Sequence, residues 1–213
     1  MKRLYLLMAT LTLTIATMGQ SNNGHLTFKG VPIDGKLSEF VTKMNKAGFK
    51  SPDILPKEYE EKIRNAGWGG LLDLAKEVDA NDKYSARLEG DFAGYSDCSV
   101  YVNTLKSADI VSNVTVIFPY RADWTDLKND YSNLKEMLTE KYGNPSACVE
   151  DISDVESFYS RKDALETNKK AWFTKFSFPN GDIILSLQTS NVALQYIDKA
   201  NSAKKRANAI ADL

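Results

Sequence analysis

The repeat distance of apolar residues changes along this chain, from near 3.6 to 2 and back, and that change limits the fold more than any other feature. Leu37, Phe40, Val41, Met44 and Ala47 recur at helical spacing. Asp34 stands where an N-cap belongs and Gly48 where a helix stops. From Tyr84 the period becomes two. Ser85 to Phe92, Cys98 to Leu105 and Ile110 to Phe118 read as strands, with turns at 94–97 and 106–109. The third run, IVSNVTVIF, is rich in β-branched residues. Its Asn113-Val-Thr115 matches a glycosylation acceptor, but inside a strand that match is read as accidental.

The period then returns to 3.6. Trp124, Leu127, Tyr131, Leu134, Leu138 and Tyr142 share one helix face, with Asp123 as cap and Gly143 and Pro145 as the stop. From Ala171 alternation resumes: AWFTKFSF, the hairpin signal Asn180-Gly181, IILSLQ, and a last strand from Asn191 to Ile197. Before the first helix, HLTFKGV (25–31) reads as one short strand ended by Pro32 and Gly35. The chain therefore reads as helix then three strands, twice. Helices kept apart from hairpin-linked strands predict an α+β fold, an antiparallel sheet with helices on one face. A duplication of the helix-plus-three-strand unit is an expectation drawn from pattern, not from matching residues.

Residues 51–82 are less regular. Tyr59 to Ala66 and Leu71 to Val78 look helical around a GWGG break, where Trp68 is expected to pack over the joint. Residues 148–170 are charged and ambiguous. The tail from Lys199 is alanine-rich and basic, and a surface helix is expected there.

The first nineteen residues, MKRLYLLMATLTLTIATMG, have the layout of a secretory signal peptide: Lys2 and Arg3, an apolar run from Leu4 to Met18, and a small residue at Gly19. The run is about 15 residues, short of the roughly 20 that a membrane-spanning helix needs. Cleavage between Gly19 and Gln20 would release a periplasmic or secreted protein without a membrane span. The expected organisation is a signal peptide over 1–19, a spacer over 20–24, one α+β domain over 25–198 with pattern-related halves 25–120 and 121–198, and a tail helix over 199–213. Losing Lys2 and Arg3 lowers the basic count from 27 to 25 against 28 acids, a charge of about −3. A balanced chain offers no basic face for nucleic acid or for an anionic membrane surface. The cluster Lys204-Lys205-Arg206 reads as a solvated helix face.

Cys98 and Cys148 are the disulfide candidates. An oxidising compartment favours such a pair, and a loop of about 50 residues would contribute on the order of 4 kcal/mol. Two free thiols packed as small apolar residues are the other state open to them.

Several runs resemble a group of uncharacterised secreted proteins from Bacteroides-type bacteria: HLTFKGVPIDG with Leu37-Ser-Glu-Phe40, Gly90-Asp-Phe-Ala-Gly94, Val116-Ile-Phe-Pro119, and Leu134 to Gly143 with Pro145. The repeat of helix and antiparallel strands is similar to the β-lactamase-inhibitor-protein-like fold. The resemblance implies fold and export, and brings no established activity.

Catalytic signatures are missing. His25, the lone histidine, would have to serve any His-based triad, and its place near the terminus reads as an exposed residue. There is no nucleophile elbow, phosphate loop or zinc helix, so no metal and no cofactor is expected. The acids Glu150, Asp151, Asp154 and Glu156 lack the ligand spacing of a calcium loop and read as a solvated linker. Trp68, Tyr95, Tyr101, Tyr120 and Tyr159 are the aromatic candidates for binding. The expected function is an exported, non-catalytic module binding an unknown protein or glycan. The alternative is a carboxylate-based envelope hydrolase acting on glycan or peptidoglycan, which requires two converging acids.

Overall fold

The computed structural model describes residues 24–52, 84–105, 108–150 and 171–211, with single residues at 61, 64, 65, 67 and 165. The leader over 1–19, Trp68 and most of 51–82, Tyr159 and the acids after Glu150 lie outside the described residues.

In chain order the elements are β1 (Thr27–Phe28), β2 (Val31–Pro32), α1 (Leu37–Lys46), β3 (Ser85–Phe92), β4 (Tyr95–Leu105) and β5 (Ala108–Ile117). They continue with α2 (Trp124–Tyr142), β6 (Ala147–Val149), β7 (Phe173–Phe178), β8 (Gly181–Leu187), β9 (Val192–Asp198) and α3 (Lys199–Ala211). Strands β3 to β9 form one seven-stranded sheet in the order β3-β4-β5-β9-β8-β7-β6. Every neighbouring pair is antiparallel. The protein is α+β.

Alternation of side chains decides which face is covered. Leu88, Val100, Val116, Leu194, Leu185 and Thr174 lie in register across six strands, and all are buried. Helix α1 crosses β3 to β5 with Phe40 and Met44 inward. Helix α2 lies against β8 and β9 with Leu127, Tyr131, Leu134 and Leu138 inward. Each follows the apolar stripe read from the sequence. The last strands of the two runs, β5 and β9, pair at the sheet centre. The duplication is not confirmed: the second run carries an extra edge strand, β6, with no counterpart in the first.

Several local expectations are corrected. HLTFKGV is not one strand but a hairpin, because Lys29 and Gly30 both take positive φ (50° and 79°) and turn the chain back. The turn expected at 94–97 lies one step earlier, at Ala93 and Gly94 with φ of 52° and 83°, so Tyr95 already belongs to β4. Asp34 does not cap α1. Lys36 occupies that position without a side-chain bond, and Asp109 on β5 accepts from the Leu37 N–H at 3.2 Å. Gly181 pairs within β8 opposite Phe178, which leaves Pro179 and Asn180 to make the hairpin turn. A Cβ on Gly181 would collide with the Ile197 carbonyl and the Leu26 side chain. Glycine is required there because that carbonyl of β9 and that side chain occupy the space a Cβ would take.

The two sheet edges differ. β3 is partly covered by Lys50, which exchanges two backbone hydrogen bonds with Glu89 at 2.7 and 2.8 Å. Phe49 rests on Gly90, where a Cβ would come within 2.7 Å of its ring. At the other edge β6 is three residues long, and all three are exposed. Short edges resist unwanted strand pairing. Among the described residues no helix is long and apolar enough to cross a membrane.

Candidate functional site

The face of the sheet turned away from α1 and α2 carries the other half of the alternation. Arg87, Tyr101, Thr115, Gln195, Ile184 and Lys175 stand in register across β3, β4, β5, β9, β8 and β7. Tyr101 is 38% exposed, and the four residues after it in the row are partly open. The charges at the two ends are matched locally. Arg87 Nη2 lies 2.7 Å from Glu89 Oε1. Asp182 takes Lys175 Nζ at 2.9 Å and Lys199 Nζ at 3.0 Å. Burial alone would raise the Asp182 pKa, but hydrogen bonds from Lys175, Lys199 and Ser177 outweigh it and hold the carboxyl below its usual range. The middle of the face is uncharged. Asn103 donates to Asn113 Oδ1 at 2.9 Å in the adjoining row, so the residue of the glycosylation match sits within a central strand.

His25 is not the exposed terminal residue expected. Its side chain is 14% exposed and lies between two carboxylates, with Nδ1 3.1 Å from Asp198 Oδ2 and Nε2 3.5 Å from Asp34 Oδ2. Asp198 is fully buried and accepts from the backbone N–H of Leu26 at 3.0 Å and of Asn201 at 2.9 Å. The second bond caps α3. Asn201 Nδ2 then reaches Ile33 O, Asp34 Oδ1 and Val111 O at 2.9–3.1 Å. For Asp34, burial raises the pKa, while bonds from Gly35 and Asn201 and the nearby His25 lower it, and the net result is a lowered value. These acids serve backbone and amide donors. The arrangement ties the N-terminal hairpin to the tail helix, which is anchored and not merely a surface tail.

The expected disulfide does not form: Cys98 and Cys148 are both free. Their strands, β4 and β6, are second and seventh in the sheet. Five strand spacings separate them by roughly 24 Å, whereas a disulfide needs Cα atoms within about 7 Å. Cys98 is buried, and burial pushes its thiol up to about 11.

Cys148 has different company. Lys135 on α2 donates to its Sγ at 3.4 Å and to Glu150 Oε1 at 2.7 Å. Thr174 Oγ1 lies 3.6 Å from Sγ, donates to Glu150 at 3.0 Å, and meets the Tyr131 hydroxyl at 2.7 Å. Burial raises the Glu150 pKa, but bonds from Lys135, Cys148, Tyr131 and Thr174 bring the net value below normal. Glu150 is a member of this network and not, as its acidic neighbours in the sequence suggest, part of a solvated linker. Nothing local in the sequence announces the cluster, because the hydrogen bonds that join its three segments, α2, Cys148 to Glu150 and β7, span 13 to 43 positions along the chain.

Of the aromatic candidates, Tyr95 is packed edge-on to Phe118 at 5.1 Å and bonds Asp130 at 3.2 Å. Tyr120 is exposed beyond the end of β5, and Tyr101 alone of the described candidates stands on the open face. Among the described residues no group of three His, Cys, Asp or Glu side chains could hold a metal ion. The described carboxyls with displaced protonation, Asp34, Glu150 and Asp182, are all displaced toward the ionised form. No protein-family model, curated protein or solved structure matches this chain.

Proposed function

We propose that this chain is an exported, non-catalytic binding module that offers the open face of its sheet to a protein or glycan. The observation that carries this reading is the row from Tyr101 through Thr115 and Gln195 to Ile184. It is uncharged and lies between self-paired charges at Arg87–Glu89 and Lys175–Asp182. Recognition surfaces have that anatomy, with charge depleted at the centre, an aromatic anchor, and a polar rim. An antiparallel sheet tolerates one solvated face, so the row is not needed to hold the fold. The described carboxyls of displaced protonation do not favour the hydrolase reading, since Asp34, Glu150 and Asp182 are displaced toward the ionised form and held by hydrogen-bond donors, whereas a general acid needs a raised value.

Exchanging Tyr101 and Gln195 for Arg and Lys puts two unmatched cations in the centre of the row. Native-envelope capture and a glycan array, run with the parent and the double variant, form the test. The expected result is a partner retained by the parent and lost by the variant, with unchanged thermal melting. Identical capture by both proteins would overturn the assignment to this face. N-terminal sequencing of native material tests export, with a start near Gln20 expected and a start at Met1 contradicting it.

A further inference from the structure

We infer that the partner of the open face is a second copy of this chain, packed face to face about a two-fold axis between β5 and β9. This rests on the open-face reading and names the partner. Beside the row from Tyr101 to Ile184 lies a second row without charge. Ser99, Ile117, Ala193, Ser186, Phe173 and Val149 stand in register across β4, β5, β9, β8, β7 and β6. Ala193 is buried, Val149 is 43% exposed, and the other four are partly open. Tyr101, Ile117, Ile184, Phe173 and Val149 therefore keep apolar surface in water on neighbouring positions of one face. Contiguous apolar surface of that kind marks an interaction site.

Charge, area and shape select a second copy over another occupant. Across a two-fold axis a surface meets itself, so unpaired charge would face like charge. The two rows carry no charge between Arg87 and Lys175, and both of those cations already hold carboxylates of their own chain, Glu89 and Asp182. Seven strands about 4.8 Å apart, with β8 and β9 seven residues long at about 3.4 Å each, give a face of about 800 Å². Each partner of a stable complex buries about 800 Å². Two copies of one twisted sheet share the same twist and stack aligned, at about −30°. An axis between β5 and β9 lays β4 of one copy over β8 of the other. Tyr101 then meets Ile184 of the second copy, and Ile117 meets the small Ala193. Stacking removes Ile117, Phe173 and Val149 from water, which the hydroxyls of a glycan would not do.

Sedimentation equilibrium and light scattering on the purified protein form the test, with circular dichroism to check that each variant is folded. The expected parent is a dimer with a micromolar or tighter dissociation constant. Tyr101→Arg and Ile184→Glu, made singly, should each weaken it at least about tenfold. Both changes in one chain should recover most of that loss, because Arg and Glu meet across the axis. Within one chain β4 and β8 are three strand spacings apart, roughly 14 Å, too far for the pair to form. Should Tyr101→Arg fail to fold, Ile184→Glu alone decides. A dimer unaffected by either single change, or a double variant no tighter than the single ones, overturns the inference. A monomeric parent overturns it as well. If that monomer still captures an envelope protein or glycan that the variants lose, the open-face reading stands with a different partner; if capture is identical, both fail.

Discussion

Asn201 is fully buried and supplies two amide hydrogens to three acceptors: the Ile33 carbonyl just after β2, Asp34 in the turn before α1, and the Val111 carbonyl on β5. Removing it strands those acceptors, and each lost partner in a buried setting costs about 1–3 kcal/mol. Asn201→Leu is therefore expected to destabilise the protein by about 3 kcal/mol or more, read from the urea midpoint. A loss below about 0.5 kcal/mol would show that the knot is not holding the hairpin. The acids give a pH dependence of definite sign. Asp34, Glu150 and Asp182 have lowered pKa values in the folded chain. Their ordinary values lie near 4, so their contribution is complete above about pH 5. It drains away as pH falls through that range toward the lower folded values. The urea midpoint should fall between pH 6 and pH 3, and Asp182→Asn should flatten part of that slope. A midpoint that rises on acidification contradicts the assignment.

Helix α2 shows how much one element owes to local sequence. Asp123 accepts from the N–H groups of Thr125 and Asp126 at 2.6 and 3.3 Å, and Gly143 closes the far end at φ 82°. Both ends and the buried stripe were legible in the sequence, because capping and the 3.6 period are local. Asp123→Ala is expected to cost about 1 kcal/mol. Thermal melting reads it out, and no change would mean that the cap is satisfied from elsewhere. Strands β3 and β5 were also legible, since alternation and β-branching are local. β6 was not, because three exposed residues, Ala147 to Val149, leave no apolar alternation to read. Helix α1 failed at its cap for a related reason: the acceptor for Leu37 comes from Asp109, 72 positions away.

At the level of the whole molecule, strand order governs the thiols. With Cys98 and Cys148 at opposite parts of the sheet, both should titrate as free thiols in denaturant without reductant, and reductant should leave the melting temperature unchanged. Fewer than two thiols per monomeric chain would contradict the sheet order. The sequence by itself determined the α+β class, the two core helices and most of the strands, because spacing, caps and turn residues act within a few positions. Only the tertiary structure decided that Cys98 and Cys148 stand apart, that His25 meets Asp198, and that Tyr101 and Gln195 share one open row. Those relations depend on which strands pair, and pairing is settled by burial of the whole sheet face, a sum over residues far apart in the chain.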